Sequence, residues 1–147
     1  MKPHRSMGGG CETRDTDRGA RPFCTSIACA ARRNRNFRTA FWTGCHLQIT
    51  LMSLPARCDI GVEMHPDTDQ YIRVESGQAL VRLGDDRDRL DRECRLNAGD
   101  AVIVPSGTWH NVWNLGCGPL KLSSVYAPPQ HPKGTVHRTK ADAAHEE

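Results

Sequence analysis

The sequence predicts an all-β fold built as one small barrel, and three observations carry that prediction. Polar and apolar residues alternate over short stretches, as in Gln70-Tyr-Ile-Arg-Val-Glu75, where Gln70, Ile72 and Val74 share one face. Residues that favour tight turns separate these stretches, as in Asn97-Ala-Gly-Asp100 and Pro105-Ser-Gly107. The length, 147 residues, suits a single domain.

Residues 1–35 stand outside this pattern. They are rich in Gly and Arg, lack apolar periodicity and read as a disordered basic extension. Residues 1–38 carry nine Lys/Arg and three Asp/Glu, a net of +6, while the rest carries 11 and 14, a net of −3. The overall +3 therefore belongs to the extension, and nothing in the barrel argues for a nucleic-acid partner. The longest apolar run of the extension, Ile27 to Ala31, is too short for a signal peptide or a membrane span. Its Arg content resembles a transit peptide, but Glu12, Asp15 and Asp17 oppose that reading. Seven Cys form no C-x-x-C pair, and with no secretory signal they read as reduced thiols of a cytoplasmic protein.

The barrel is expected over residues 36–130. Phe41 to Leu54 is strand-rich, with Leu47, Ile49 and Leu51 on one face and Gln48, Thr50 and Met52 on the other. Which face lines the barrel is left open by the pattern. If Gln48 and Thr50 point inward, they are substrate-pocket donors and acceptors. Glu63 and His65 share a face, and Pro66 then breaks the strand. Gln78 to Gly84 is a further strand, and the charged stretch from Asp85 to Arg95 reads as a hairpin loop. Ala101 to Val104 is a short β-branched run and thus a buried strand. After the Pro105-Gly107 turn, Trp109 to Leu115 resumes, with His110, Val112 and Asn114 on one face. The last strand places Leu120, Leu122, Ser124 and Tyr126 together, so Tyr126 can reach the pocket rim. Residues 131–147 read as an extended C-terminal arm or tail that carries His131 and His137.

Two spaced motifs carry the functional signal. The second reads Gly99-x5-Pro105-x-Gly107-x2-His110-x3-Asn114. The first reads Glu63-x-His65-x4-Gln70-x6-Gly77. Together they resemble the paired motifs of the cupin superfamily, whose first motif is G-x5-H-x-H-x3-4-E-x6-G. The chain is similar to the small single-domain bacterial cupins described as sugar-phosphate-isomerase-like. That resemblance implies a double-stranded β-helix, or jelly-roll, barrel. The second motif matches throughout, whereas the first departs from the family. Glu63 stands in place of the first His, Gln70 in place of the Glu, and Arg57 in place of the opening Gly.

By resemblance, Glu63, His65, Gln70 and His110 are the expected metal ligands. Two imidazoles and a carboxylate suit Fe, and Mn, Ni or Zn would also be accepted. Glu63 is also the expected catalytic carboxylate, moving a proton between substrate carbons. A second register, His65-x-Asp67 with His110, matches the ligand set of 2-oxoglutarate oxygenases, with Lys121 as the candidate cosubstrate cation. The Gly77 spacing and the intact second motif favour the cupin register. The expected function is metal-dependent catalysis, of isomerase or dioxygenase type, on a small oxygenated metabolite. The alternative is a non-catalytic cupin that binds a small, sugar-like molecule. Arg73, Arg82 and Lys121 are the candidate cations for a phosphorylated substrate. A homodimer is expected, because a barrel with few aromatics gains from pairing.

Overall fold

The computed structural model describes residues 17–144. Nine strands and two short helices follow in order: α1 (Ile27–Arg33), β1 (Arg38–Thr43), β2 (Gln48–Leu54), β3 (Asp69–Ser76), β4 (Gln78–Gly84), β5 (Arg92–Asn97), β6 (Ala101–Val104), β7 (Trp109–Asn114), β8 (Leu120–Ala127), β9 (Val136–His137) and α2 (Lys140–Ala144). The strands form two antiparallel sheets. The larger runs β6-β3-β8-β2-β1-β9 and the smaller β5-β4-β7. This is the jelly-roll barrel that the resemblance implies, with strands where the alternation places them.

The inner faces follow the expected registers. Gln70, Ile72 and Val74 of β3 are buried, as are Leu120, Leu122, Ser124 and Tyr126 of β8. On β2 the open question is resolved: Gln48 and Thr50 are fully buried and sit in register with Tyr126 and Ser124 of β8. The apolar core comprises Met52, Leu54, Ile72, Val74, Ala79, Val81, Val112, Leu120 and Leu122, together with residues around them. At the closed end Asn114 seals the barrel. Its side-chain amide donates to the carbonyls of Leu54, Pro55 and Gly118 at 2.9–3.0 Å. Gly77 is the hinge at which the chain passes from the larger sheet to the smaller. Its φ of 99° disfavours any side chain, and a Cβ there would come within 3.2 Å of Leu120 Cδ1.

The N-terminal expectation is corrected for residues 17–35; residues 1–16 lie outside the described residues. Ser26 caps α1 by accepting from the Cys29 N–H, and Arg32 and Arg33 occupy its last turn. Ala31 is fully buried, and α1 packs against β2, β3 and β8. Phe23 meets the Phe41 ring edge-on at 5.7 Å. Composition could not reveal this seat, because a seven-residue helix that buries one alanine leaves no apolar stripe.

The C-terminal arm folds back over the open end of the barrel. β9 pairs with β1, and α2 brings Ala143 against the core. No helix among the described residues is long and apolar enough to cross a membrane.

Candidate metal centre

Three local devices bring the expected ligands together. The segment after β2 runs alongside β7, so that Glu63 and His110 exchange both backbone hydrogen bonds at 2.9 Å. A directly opposed pair of this kind puts both side chains on the same face, here the inside of the barrel. The turn before β7 is made at Gly107, whose φ is 82° and whose N–H donates to the His65 carbonyl at 2.8 Å. That bond fixes His65 beside the β6–β7 connection. Gln70 arrives from β3, opposite Tyr126 and Val104.

One ligand atom from each of Glu63, His65 and His110 lies within 4.8 Å of the other two. The His65 and His110 rings are 5.4 Å apart. His110 Nδ1 lies 3.0 Å from the Thr108 carbonyl, and as donor in that bond it leaves the Nε2 lone pair facing the cavity. His65 Nε2 is 3.6 Å from Glu63 Oε2, beyond hydrogen-bond distance. The side-chain nitrogen of Gln70 points to Ser124 Oγ at 3.5 Å, which turns its oxygen away from that hydroxyl. His65 Nε2, His110 Nε2 and Gln70 Oε1 are all buried without a hydrogen-bond partner among the described residues.

Burial pushes the Glu63 carboxyl up, but the His65 ring, the Arg38 guanidinium and the His110 ring outweigh it and hold it below the ordinary carboxylate range. Burial holds His110 below the ordinary imidazole value, against a smaller opposing pull from Thr108 and Glu63. The group thus presents an anionic carboxylate at Glu63 and a neutral imidazole at His110, beside the Nε2 atom of His65. A carboxylate, two imidazoles and an amide oxygen fit a divalent first-row ion.

The pocket expectations divide. Tyr126 is buried, packs edge-on against His65 at 5.6 Å and against His131 at 5.2 Å, and has its phenol pushed up to about 12 by burial. Thr50 lies on the inner face beside it. Gln48 also faces inward, but its amide is spent on the arm. Its nitrogen donates to the His131 carbonyl at 2.8 Å, and its oxygen accepts from the N–H groups of Gln130 and His131.

The cations singled out from the sequence lie elsewhere. Lys121 points outward to the Asn34 carbonyl and Ser53, Arg73 is paired with Glu75, and Arg82 is 3.8 Å from Glu93. Asp67 is exposed, and nearby Asp69 accepts from the Ser106 N–H. The oxygenase register therefore lacks its cation. The cation that does reach the site is Arg38, which the sequence reading counted with the basic extension. It is 3% exposed, and its guanidinium lies 3.9 Å from Glu63. Along β1 Arg38, Thr39 and Ala40 are all buried, so no alternation marks it in the sequence.

A cavity of about 560 Å³ opens above the ligand group, lined by Arg38, Glu63, His65, Trp109, His131 and His137, among others. Residues 50–126 match the family model described as a cupin domain. The YrkC protein of Bacillus subtilis is 53% identical over 127 residues, which cover 86% of this chain and 68% of that protein. Protein L612 of Acanthamoeba polyphaga mimivirus is 38% identical over 105 residues, 71% of this chain and 64% of its own length, so the chain spans less than two thirds of that relative. The crystal structure of BH2720 from Bacillus halodurans aligns with a TM-score of 0.87 at 54% identity, covering 88% of this chain and 98% of that one. By its domain match, its relatives and its barrel, the chain belongs to the cupin family.

Proposed function

We propose that this cupin is a metal-dependent enzyme, of isomerase or dioxygenase type, acting on a small oxygenated metabolite. The observation that supports this reading is the convergence of buried lone pairs. His65 Nε2, His110 Nε2 and Gln70 Oε1 have no donor among the described residues, and the two imidazoles flank an ionised carboxylate. Each such buried acceptor left without a donor costs about 1–3 kcal/mol, and a cation held between His65, His110 and Glu63, within reach of one another, would answer them. In this reading Glu63, His65, Gln70 and His110 hold one divalent ion, Fe, Mn, Ni or Zn. When bound, the ion supplies Lewis acidity to substrate oxygens or, as Fe, a seat for O2.

The chain's own residues then have separable tasks. His65 and His110 present their Nε2 atoms to the ion. Glu63 neutralises charge and offers its second carboxylate oxygen as proton acceptor for the substrate. Tyr126, kept protonated by burial, and Thr50 are hydrogen-bonding groups of the substrate pocket. Gln48 acts at one remove, by holding the arm that roofs the cavity.

Elemental analysis of protein purified without an affinity tag, beside a His65→Ala/His110→Ala double variant, tests this reading. We expect about one transition metal per chain in the native protein and none in the variant. No metal in either, even after reconstitution, would sink it. A non-catalytic binder is the second reading, and the arm over the mouth favours it, since a roofed cavity suits retention. O2 consumption or product formation with a candidate substrate decides between the two. A homodimer belongs to this proposal as well. Tyr71 and Ile103 pair across β3 and β6 at the edge of the larger sheet and are 37% and 61% exposed, an apolar patch that a second copy would cover. Light scattering checks it.

A further inference from the structure

We propose that Arg38 and His131 form an anion-binding subsite in the mouth of the barrel, and that the metabolite is therefore a small carboxylate. The charge argument rests on the metal reading above, whereas the geometry does not. Arg38 is 3% exposed, an unusual burial for an arginine. One of its terminal nitrogens lies 3.2 Å from His137 Nδ1, and the Phe37 ring sits 5.3 Å from the guanidinium carbon. Its Nε is buried and meets no acceptor among the described residues. The contact with Glu63, at 3.9 Å, is too long for a hydrogen bond. The guanidinium also meets the Tyr126 side chain, so its Nε is the donor left without an acceptor; a buried unanswered N–H is costly, and a planar carboxylate matches the guanidinium fork.

His131 supplies the second observation. The Gln48 amide grips the backbone of residues 130 and 131 from both sides and so places this ring against Tyr126. Its Nε2 is buried and has no partner among the described residues. Both residues line the same cavity as Glu63 and His65. Arg38 and His131, from distant parts of the chain, thus line one space beside Glu63 and His65, and each carries a buried polar atom without a partner among the described residues.

Charge points the same way. Among the residues lining the cavity, Arg38 contributes the one cation and Glu63 the one carboxylate. They cancel, so a divalent ion would leave a net of about +2 in a buried space, a state strongly disfavoured by desolvation. An anionic ligand removes that excess. A carboxylate with an adjacent hydroxyl or oxo oxygen answers both halves of the site, one oxygen group for the ion and the other for Arg38. A neutral sugar would leave Arg38 and the excess charge unanswered.

The test uses the full-length protein loaded with Ni2+ and titrated calorimetrically with lactate and with lactamide, its neutral isostere. We expect lactate to bind at least about tenfold more tightly. Arg38→Met should abolish that preference with nickel content unchanged, and Arg38→Lys should keep part of it. Should Arg38→Met fail to fold, Arg38→Lys and His131→Gln carry the test, each lowering lactate affinity at least about threefold. Equal binding of lactate and lactamide, or no binding of either, overturns the proposal. So does a folded Arg38→Met that still prefers lactate, or unchanged affinity in both Arg38→Lys and His131→Gln. Failure of nickel to bind the native protein removes the metal reading alone. In that case a preference of the metal-free protein for lactate still supports the subsite, and its absence overturns it.

Discussion

The two ends of the barrel are built from the same strands, yet they differ in what their inner faces carry. β2 reads Gln48, Thr50, Met52, Leu54 from mouth to floor; β3 reads Gln70, Ile72, Val74; β8 reads Tyr126, Ser124, Leu122, Leu120. Each begins polar and ends apolar. At the floor, side chains complement one another, and even the polar Asn114 has its hydrogen bonds answered by carbonyls. At the mouth, polar atoms are just as buried, but several have no hydrogen-bond partner among the described residues. The floor holds the fold. The mouth tolerates unfavourable burial, as sites that bind a ligand do.

The comparison can be broken first at the floor. Leu122→Ala removes a fully packed side chain and should cost about 2–5 kcal/mol in urea unfolding, with metal stoichiometry of the folded fraction unchanged. At the mouth the expectation reverses. His110→Ala should weaken metal binding by more than about 100-fold, since even loss of an outer-sphere partner typically costs 10–100-fold. Its cost in stability should be smaller than that of Leu122→Ala, because among the described residues the ring makes one hydrogen bond, to the Thr108 carbonyl.

The third test concerns what holds the roof. Asp17 accepts hydrogen bonds from the N–H groups of Gly19, Thr43 and Gly134 and from the Thr43 hydroxyl. Burial pushes its carboxyl up, but these donors outweigh burial and leave it below the ordinary aspartate value of 3.8. The stability it contributes is thus fully present above that value and is lost as pH falls through the lower folded value. Asp17→Asn should cost about 1.5–3 kcal/mol at neutral pH and flatten the acid limb of the stability profile. An unchanged acid limb would exclude Asp17 as its source. The smallest effect belongs at the floor. Arg57 holds a left-handed φ of 60° at the position where the family motif opens with glycine. Arg57→Gly should therefore raise stability by about 1 kcal/mol, with no effect on metal content.

The floor and the ligand group were both legible in the sequence, for one reason. Side-chain direction in a strand has a period of two, so Gln70, Ile72 and Val74, or His110, Val112 and Asn114, declare a shared face without any knowledge of their neighbours. The spacing of the two motifs likewise pointed to Glu63, His65 and His110, whose ligand atoms lie within 4.8 Å of one another. Arg38 was not legible. Its charge merged with those of a basic extension, and its place inside the barrel depends on β1 pairing with β2 and β9. His131 was named but could not be placed, because its position is set by a clamp from Gln48, a residue 83 positions away. Contacts made by one side chain to a distant backbone have no period to read. α1 escaped for a related reason: its hold on the barrel is one buried alanine.

The Asp17 contacts join two parts of the chain that are far apart in sequence. Asp17 binds the Gly134 N–H, and Lys133 returns a bond to the Gly19 carbonyl at 2.6 Å. The roof of the cavity is therefore fastened by the N-terminal segment as well as by Gln48. Amide hydrogens of Gly19 and Gly134 should accordingly exchange as one cooperative unit, since neither can open while the other is held.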